Sequence, residues 1–124
     1  MAKVPRDEER EQRISDEIIV DCYNEGEAAM GWYYYLQDKM AFPFRATCVT
    51  AKKKSRLKVG EQVEILAMAD EGDCEHEMWV EVKGNGEVFI VLLEQLQPLD
   101  DVDAETIEAI EDWQYWLKQG YQLS

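Results

Sequence analysis

The apolar positions of this 124-residue chain change their spacing twice, and the changes divide it into three stretches. In the first, Ile14, Ile18 and Cys22 recur at i, i+4 and i+8, with Glu17, Asp21 and Glu25 on a neighbouring stripe, as on an amphipathic surface helix. Gly26 weakens that helix, but Ala29, Trp32, Tyr33 and Leu36 restore an apolar face, so the pattern predicts a helix over 14–38. Pro43 bars its continuation and pushes Phe42 toward an extended backbone. Residues 1–13 are almost wholly polar and read as a frayed end or an extension of this helix.

Across 44–99 the texture shortens to β-like runs separated by turn residues. Arg45 to Ala51 alternates loosely, and Gln62 to Ala69 is largely apolar. Met78, Val80 and Val82 share one face of EMWVEVK, and Val88 to Leu93 reads as a buried run. Asn85-Gly86 supplies the positive φ angles of a two-residue hairpin turn. Four or five short strands are too few for a sandwich but enough for a small barrel. LKVGEQVEIL, a hairpin and EVFIVLLEQLQPL resemble the strand order of an SH3-like barrel.

Helical spacing returns over 103–119, where Ile107, Ile110, Trp113 (or Gln114) and Leu117 form a stripe. Asp103 caps its start, acids at 105 and 108 suit the positive end of the dipole, and Lys118 and Gly120 mark its stop. The expected fold is therefore α+β, a single domain with a small SH3-like β-barrel over 44–99 flanked by an N-terminal and a C-terminal α-helix.

Composition sharpens this picture mainly through charge. With 46% apolar residues the chain can bury a core, so its charge does not imply disorder. The 27 acidic against 13 basic residues leave a net −14, and between Val59 and Leu117 there are 17 carboxylates and one base, Lys83. Such a segment repels nucleic acid and anionic membranes, whereas a metal cation or a basic protein partner would relieve it. No apolar run approaches the roughly 20 residues of a membrane span. MAKVPRDEEREQR is charged where a signal peptide would be apolar, so a cytoplasmic location is expected. Cys22, Cys48 and Cys74 form neither a CxxC nor a CxxH pair, which suggests neither a disulfide framework nor a zinc site.

The densest cluster is DEGDCEHE, in which Asp70, Glu71, Asp73, Glu75 and Glu77 surround Cys74 and the single histidine, His76. Two readings compete: a solvated acidic turn, and a wrap of oxygen ligands for Ca²⁺, which accepts six to eight oxygens in a forgiving geometry. Zinc would want Cys74 and His76 on one strand face together with two further soft ligands, which are not supplied nearby. A second acidic group comprises Asp100, Asp101 and Asp103. Neither group satisfies the EF-hand template: from Asp101, Thr106 stands where glycine belongs, and from Asp70, Gly72 and Cys74 stand where ligands belong.

Two further features bear on function. The bases of KKKSRLK at 52–58 balance the acidic face more simply than they bind nucleic acid, and one helical turn cannot aim Trp32, Tyr33, Tyr34 and Tyr35 at one surface, so two enter the core. Asp38, near the end of the aromatic helix, places a carboxylate beside unpaired carbonyls; either Lys39 or a bound cation compensates it. No nucleophile, base and oxyanion donor can be assembled from one histidine and scattered cysteines, so an enzyme is not expected.

VDCYNEGEAAMGWYYYLQDKMAFPFRA at 20–46, LKVGEQVEILAMA at 57–69, CEHEMWVEV at 74–82 and EAIEDWQYWLKQGY at 108–121 together resemble the cyanobacterial calcium-binding protein family, CcbP. The resemblance implies a small acidic cytosolic protein that binds Ca²⁺ without EF-hands and buffers or reports free calcium. Asp38 lies inside the best-matching stretch and is the first ligand it points to. Charge density adds Asp70, Glu71, Asp73, Glu75 and Glu77, and Asp100, Asp101 and Asp103, one group of which would form a second, weaker site. The alternative is an acidic protein-interaction module built on the SH3-like barrel.

Overall fold

A computed structural model of the chain describes residues 7–19, 25–50 and 57–119. Helix α1 spans Glu8–Arg13 and passes directly into a π-helical turn, Ile14–Ile18; helix α2 spans Glu25–Lys39. Strands β1 (Phe44–Cys48), β2 (Gln62–Met68), β3 (Trp79–Gly84), β4 (Glu87–Leu92) and β5 (Leu96–Pro98) follow, and helix α3 (Ala104–Lys118) closes the series. Short 3₁₀ turns occupy Glu71–Cys74 and Leu93–Gln95. The fold is α+β, as expected.

The helical start differs from the expected 14–38. Asp7 caps α1 by accepting from the Arg10 amide at 3.0 Å, so the polar stretch before Ile14 is helical although it has no apolar period of its own. Ile14 and Ile18 are buried as predicted, but on the π-helical turn. Cys22 and Asp21 lie outside the described residues, as do most of KKKSRLK and Gly120.

The five strands form one antiparallel sheet in the order β4-β3-β2-β1-β5. A flat sheet would hold its edge strands about 19 Å apart, four spacings of ~4.8 Å. Yet Leu92 and Leu96 are joined by a single 3₁₀ turn that spans at most ~14 Å. The sheet must therefore curl toward closure, although no described pairing joins β4 to β5. Asn85 at φ 54° and Gly86 at φ 80° make the predicted hairpin turn between β3 and β4. A bulge between Ile65 and Ala67 shifts the phase of β2, so Val63 and Ile65 point inward and Met68 takes the next core position.

One expectation about the sheet fails. Val88 to Leu93 is not buried throughout: Val88 and Ile90 are exposed, because β4 is an edge strand and only alternate residues meet the core.

The core lies between the inner sheet face and the helices. Trp32 of α2 meets Trp113 and Trp116 of α3 at centroid distances of 5.1 and 5.5 Å, the first pair edge to face, and these rings hold the two helices together. The aromatic row divides as predicted: Trp32 and Tyr33 are buried, Tyr34 is exposed and Tyr35 is half-buried.

Candidate metal centre

The last turns of α2 are where the structure concentrates acidic groups that are far apart in sequence. Asp38 is exposed one residue before the helix ends, beside carbonyls that carry the negative end of the helix dipole. With Glu17, Ile18, Gly31, Tyr34, Tyr35 and Lys39 it lines an open cavity of ≈ 530 Å³. Glu17 comes from the π-helical turn, so the cavity lies between two segments, each of which presents a carboxylate.

The 70–77 group reaches α2 through hydroxyls. Tyr33 donates to the Ala69 carbonyl at 2.7 Å, and Tyr34 donates to Glu71 Oε1 at 2.6 Å. That second bond, to a carboxylate, holds the Tyr34 phenol above its ordinary pKa. Tyr34 stands one helical turn before Asp38, on the same face. Asp70, Asp73, Glu75 and Glu77 are exposed on or beside the 3₁₀ turn.

This arrangement corrects the strand geometry assumed for zinc. Cys74 is buried at the end of the 3₁₀ turn, where its sulfur accepts from the Trp79 amide at 3.4 Å, while His76 is exposed. Burial pushes the Cys74 thiol up, which disfavours the thiolate that zinc requires.

The third group approaches α2 just past its end. Asp103 caps α3, accepting from the Thr106 hydroxyl at 2.6 Å and the Thr106 amide at 3.3 Å, and the bond from that hydroxyl first of all lowers its pKa. The same hydroxyl accepts from the Ala41 amide at 2.9 Å, which places the start of α3 against the residues that follow Asp38. Asp101 and Asp103 line a second cavity, of ≈ 290 Å³, with Arg45 and Pro43. Asp100 is exposed nearby in sequence. Asp103 thus already has a structural task, and Arg45 offers its group an internal counter-charge.

Among the described residues no three acidic, histidine or cysteine side chains converge on one point. Each group meets the later part of α2 or the residues just past it at a point of its own, and they do not merge. Their donors are oxygens, with sulfur withdrawn into the core, which is the donor set that suits Ca²⁺ and not zinc.

Two residues, one lining the cavity and one behind its wall, escaped sequence reasoning. Glu17 looked like one member of a solvated stripe. Asp112 looked like one more acid on an acidic helix, yet it is fully buried, and its carboxylate receives Arg10 Nη1 at 2.8 Å, Arg13 Nη2 at 2.7 Å and Nε at 3.1 Å, and the Tyr35 hydroxyl at 2.7 Å. Burial and the bond to Asp112 push the Tyr35 phenol up, and the bond to Asp112 likewise raises Arg13. Helical phasing was the available signal: Asp112 neighbours Trp113, and Ala109 and Trp116 lie one turn away on either side.

A family model described as calcium binding, that of the CcbP proteins, matches residues 12–117. The chain belongs to the CcbP calcium-binding family. Within that family it is similar to the crystal structure of Anabaena CcbP, with 46% identity over 98% of each chain and a TM-score of 0.86. It is also similar to a calcium binding protein in the calcium-binding form, with 45% identity over 98% of each chain and a TM-score of 0.85. No curated protein sequence matches the chain. Family membership makes Ca²⁺ the ligand against which the oxygen-rich end of α2 is to be read.

Proposed function

We propose that the protein binds Ca²⁺ in the cytoplasm without an EF-hand and buffers or reports its free concentration. The observation that carries this reading is the gathering of three separate carboxylate groups around the C-terminal end of α2, in a chain of net charge −14. Asp38 is the first ligand, supported by helix-end carbonyls and by Glu17 across the cavity. Asp70, Glu71, Asp73, Glu75 and Glu77 form a weaker, outer site, and Asp100, Asp101 and Asp103 attract cations to the segment just past the end of α2. The free, buried thiols of Cys48 and Cys74 suit a reducing compartment.

Calcium at about a hundred times its dissociation constant should stabilise the fold by about 2.7 kcal/mol. Replacing Asp38 with Asn should abolish the tighter phase of a calorimetric Ca²⁺ titration. A melting curve unmoved by millimolar Ca²⁺ would refute the reading. A second reading, docking of a basic protein on the acidic face, draws on the same charge. It requires that the metal-free protein bind such a partner with steep salt dependence.

A further inference from the structure

Among the described residues Asp112 is the only fully buried charged side chain, and it stands outside every acidic group so far considered. Removing a carboxylate from water is expensive, and an apolar residue of similar volume often packs as well or better. What this carboxylate does instead is join three helices. On Oδ1 it holds Arg10 and Arg13 of α1, and on Oδ2 it holds Arg13 again and Tyr35 of α2.

Both ends of that junction lead to the Asp38 cavity. Arg13 is followed at once by the π-helical turn that carries Glu17, and Tyr35 lies three residues before Asp38, with its own ring in the cavity wall. Ile14 and Ile18 anchor the turn to the core by burial alone, which is non-directional. The two arginine forks are directional and so set how the turn is rotated against α2.

We propose that Asp112 is a positioning residue for calcium binding: it fixes the Glu17 wall against the Asp38 wall, although it touches neither the cavity nor the cation. The proposal rests on the reading that Ca²⁺ binds in the Asp38 cavity. Groups bonded to metal ligands typically contribute tenfold or more to affinity; Asp112 bonds neither Glu17 nor Asp38 but holds the segments that carry both, through Arg13 and Tyr35.

The test is calorimetric Ca²⁺ titration of the full chain as native protein and as Asp112→Asn, Tyr35→Phe, Asp38→Asn and Ile65→Ala, with hydrogen exchange followed over residues 8–18. Tyr35→Phe removes one hydroxyl and keeps the ring, so it should fold and bind Ca²⁺ about tenfold more weakly. Asp112→Asn should show at least the same loss and faster exchange across α1. Ile65→Ala opens the sheet core without touching the junction, and its affinity should be unchanged, which separates positioning from lowered stability. Native affinity in folded Tyr35→Phe and Asp112→Asn, with binding lost in Asp38→Asn, would overturn the proposal and leave the Asp38 site standing. Native affinity in Asp38→Asn as well would overturn the site, and the positioning role would fall with it.

Discussion

Replacing Asp112 with Asn changes one oxygen for an amide nitrogen and removes one buried charge, and its effect on stability follows from the four contacts that carboxylate accepts. The amide still accepts through one oxygen. Its nitrogen faces donors whichever way it turns: two arginine nitrogens on one side, Arg13 Nε and the Tyr35 hydroxyl on the other. Tyr35 can rotate its proton away, but the arginines cannot. Breaking a buried ion pair by removing one partner costs about 3–5 kcal/mol. The Arg10 and Arg13 side chains are 20% and 24% exposed and can recover part of their hydration, so the lower end, about 3 kcal/mol, applies here. For a chain of this size that corresponds to a fall in Tm of roughly 10–15 °C. Urea unfolding at pH 7, followed by circular dichroism, gives the free energy; its slope should not change, because the same surface is exposed on unfolding. A loss below about 1 kcal/mol would mean that the arginines exchange the carboxylate for water at little cost, as exposed pairs do, and the directional role assigned to the junction would be refuted.

Alkaline pH should weaken the fold through another member of the same junction, Tyr35. Burial, and then the bond to Asp112, raise the Tyr35 phenol above its ordinary value of 10.0. The folded state holds this proton more tightly than the unfolded chain, so the contribution is fully present below pH 10 and is lost as pH rises through the folded value. Urea midpoints measured from pH 8 upward should fall more steeply for the native protein than for Tyr35→Phe; parallel curves would show that Tyr35 is not responsible. Thr106→Val should cost about 1–2 kcal/mol in urea unfolding, because the buried hydroxyl joins the Asp103 cap to the Ala41 amide and valine leaves that amide without its acceptor. An unchanged midpoint would mean that Ala41 finds water instead.

Much of the fold was legible because its signals are local. Asp103 announced α3 three residues before the Thr106 amide it caps, and Asn85-Gly86 announced the β3–β4 hairpin through backbone angles that few other residues adopt. The division of the aromatic row followed from helical geometry alone. The start of α1 was only half legible, since its residues have no apolar period and a frayed end and a helical extension stayed open; the helix is held by Asp7 locally and by Asp112 at separations of 99 and 102 residues. The exposure of Val88 and Ile90 depends on β4 lying at the edge, which is a property of strand order, and an apolar run reads alike at the edge and in the middle.

The candidate site divides along the same line. The sequence by itself determined the donor chemistry: an excess of carboxylates, cysteines unsuited to zinc, and Asp38 beside the free carbonyls of a helix end. Only the tertiary structure decided which carboxylates share a locus. It brought Glu71 to Tyr34 and the start of α3 to Ala41, placed Glu17 across a cavity from Asp38, and sent Asp112 into the core. The physical reason is that charge is written at every position, whereas its cost and its use depend on how much water and which partners the fold leaves beside it. Asp103, Asp112 and Asp38 have the same side chain; one became a cap, one a buried junction and one an exposed carboxylate at a helix end.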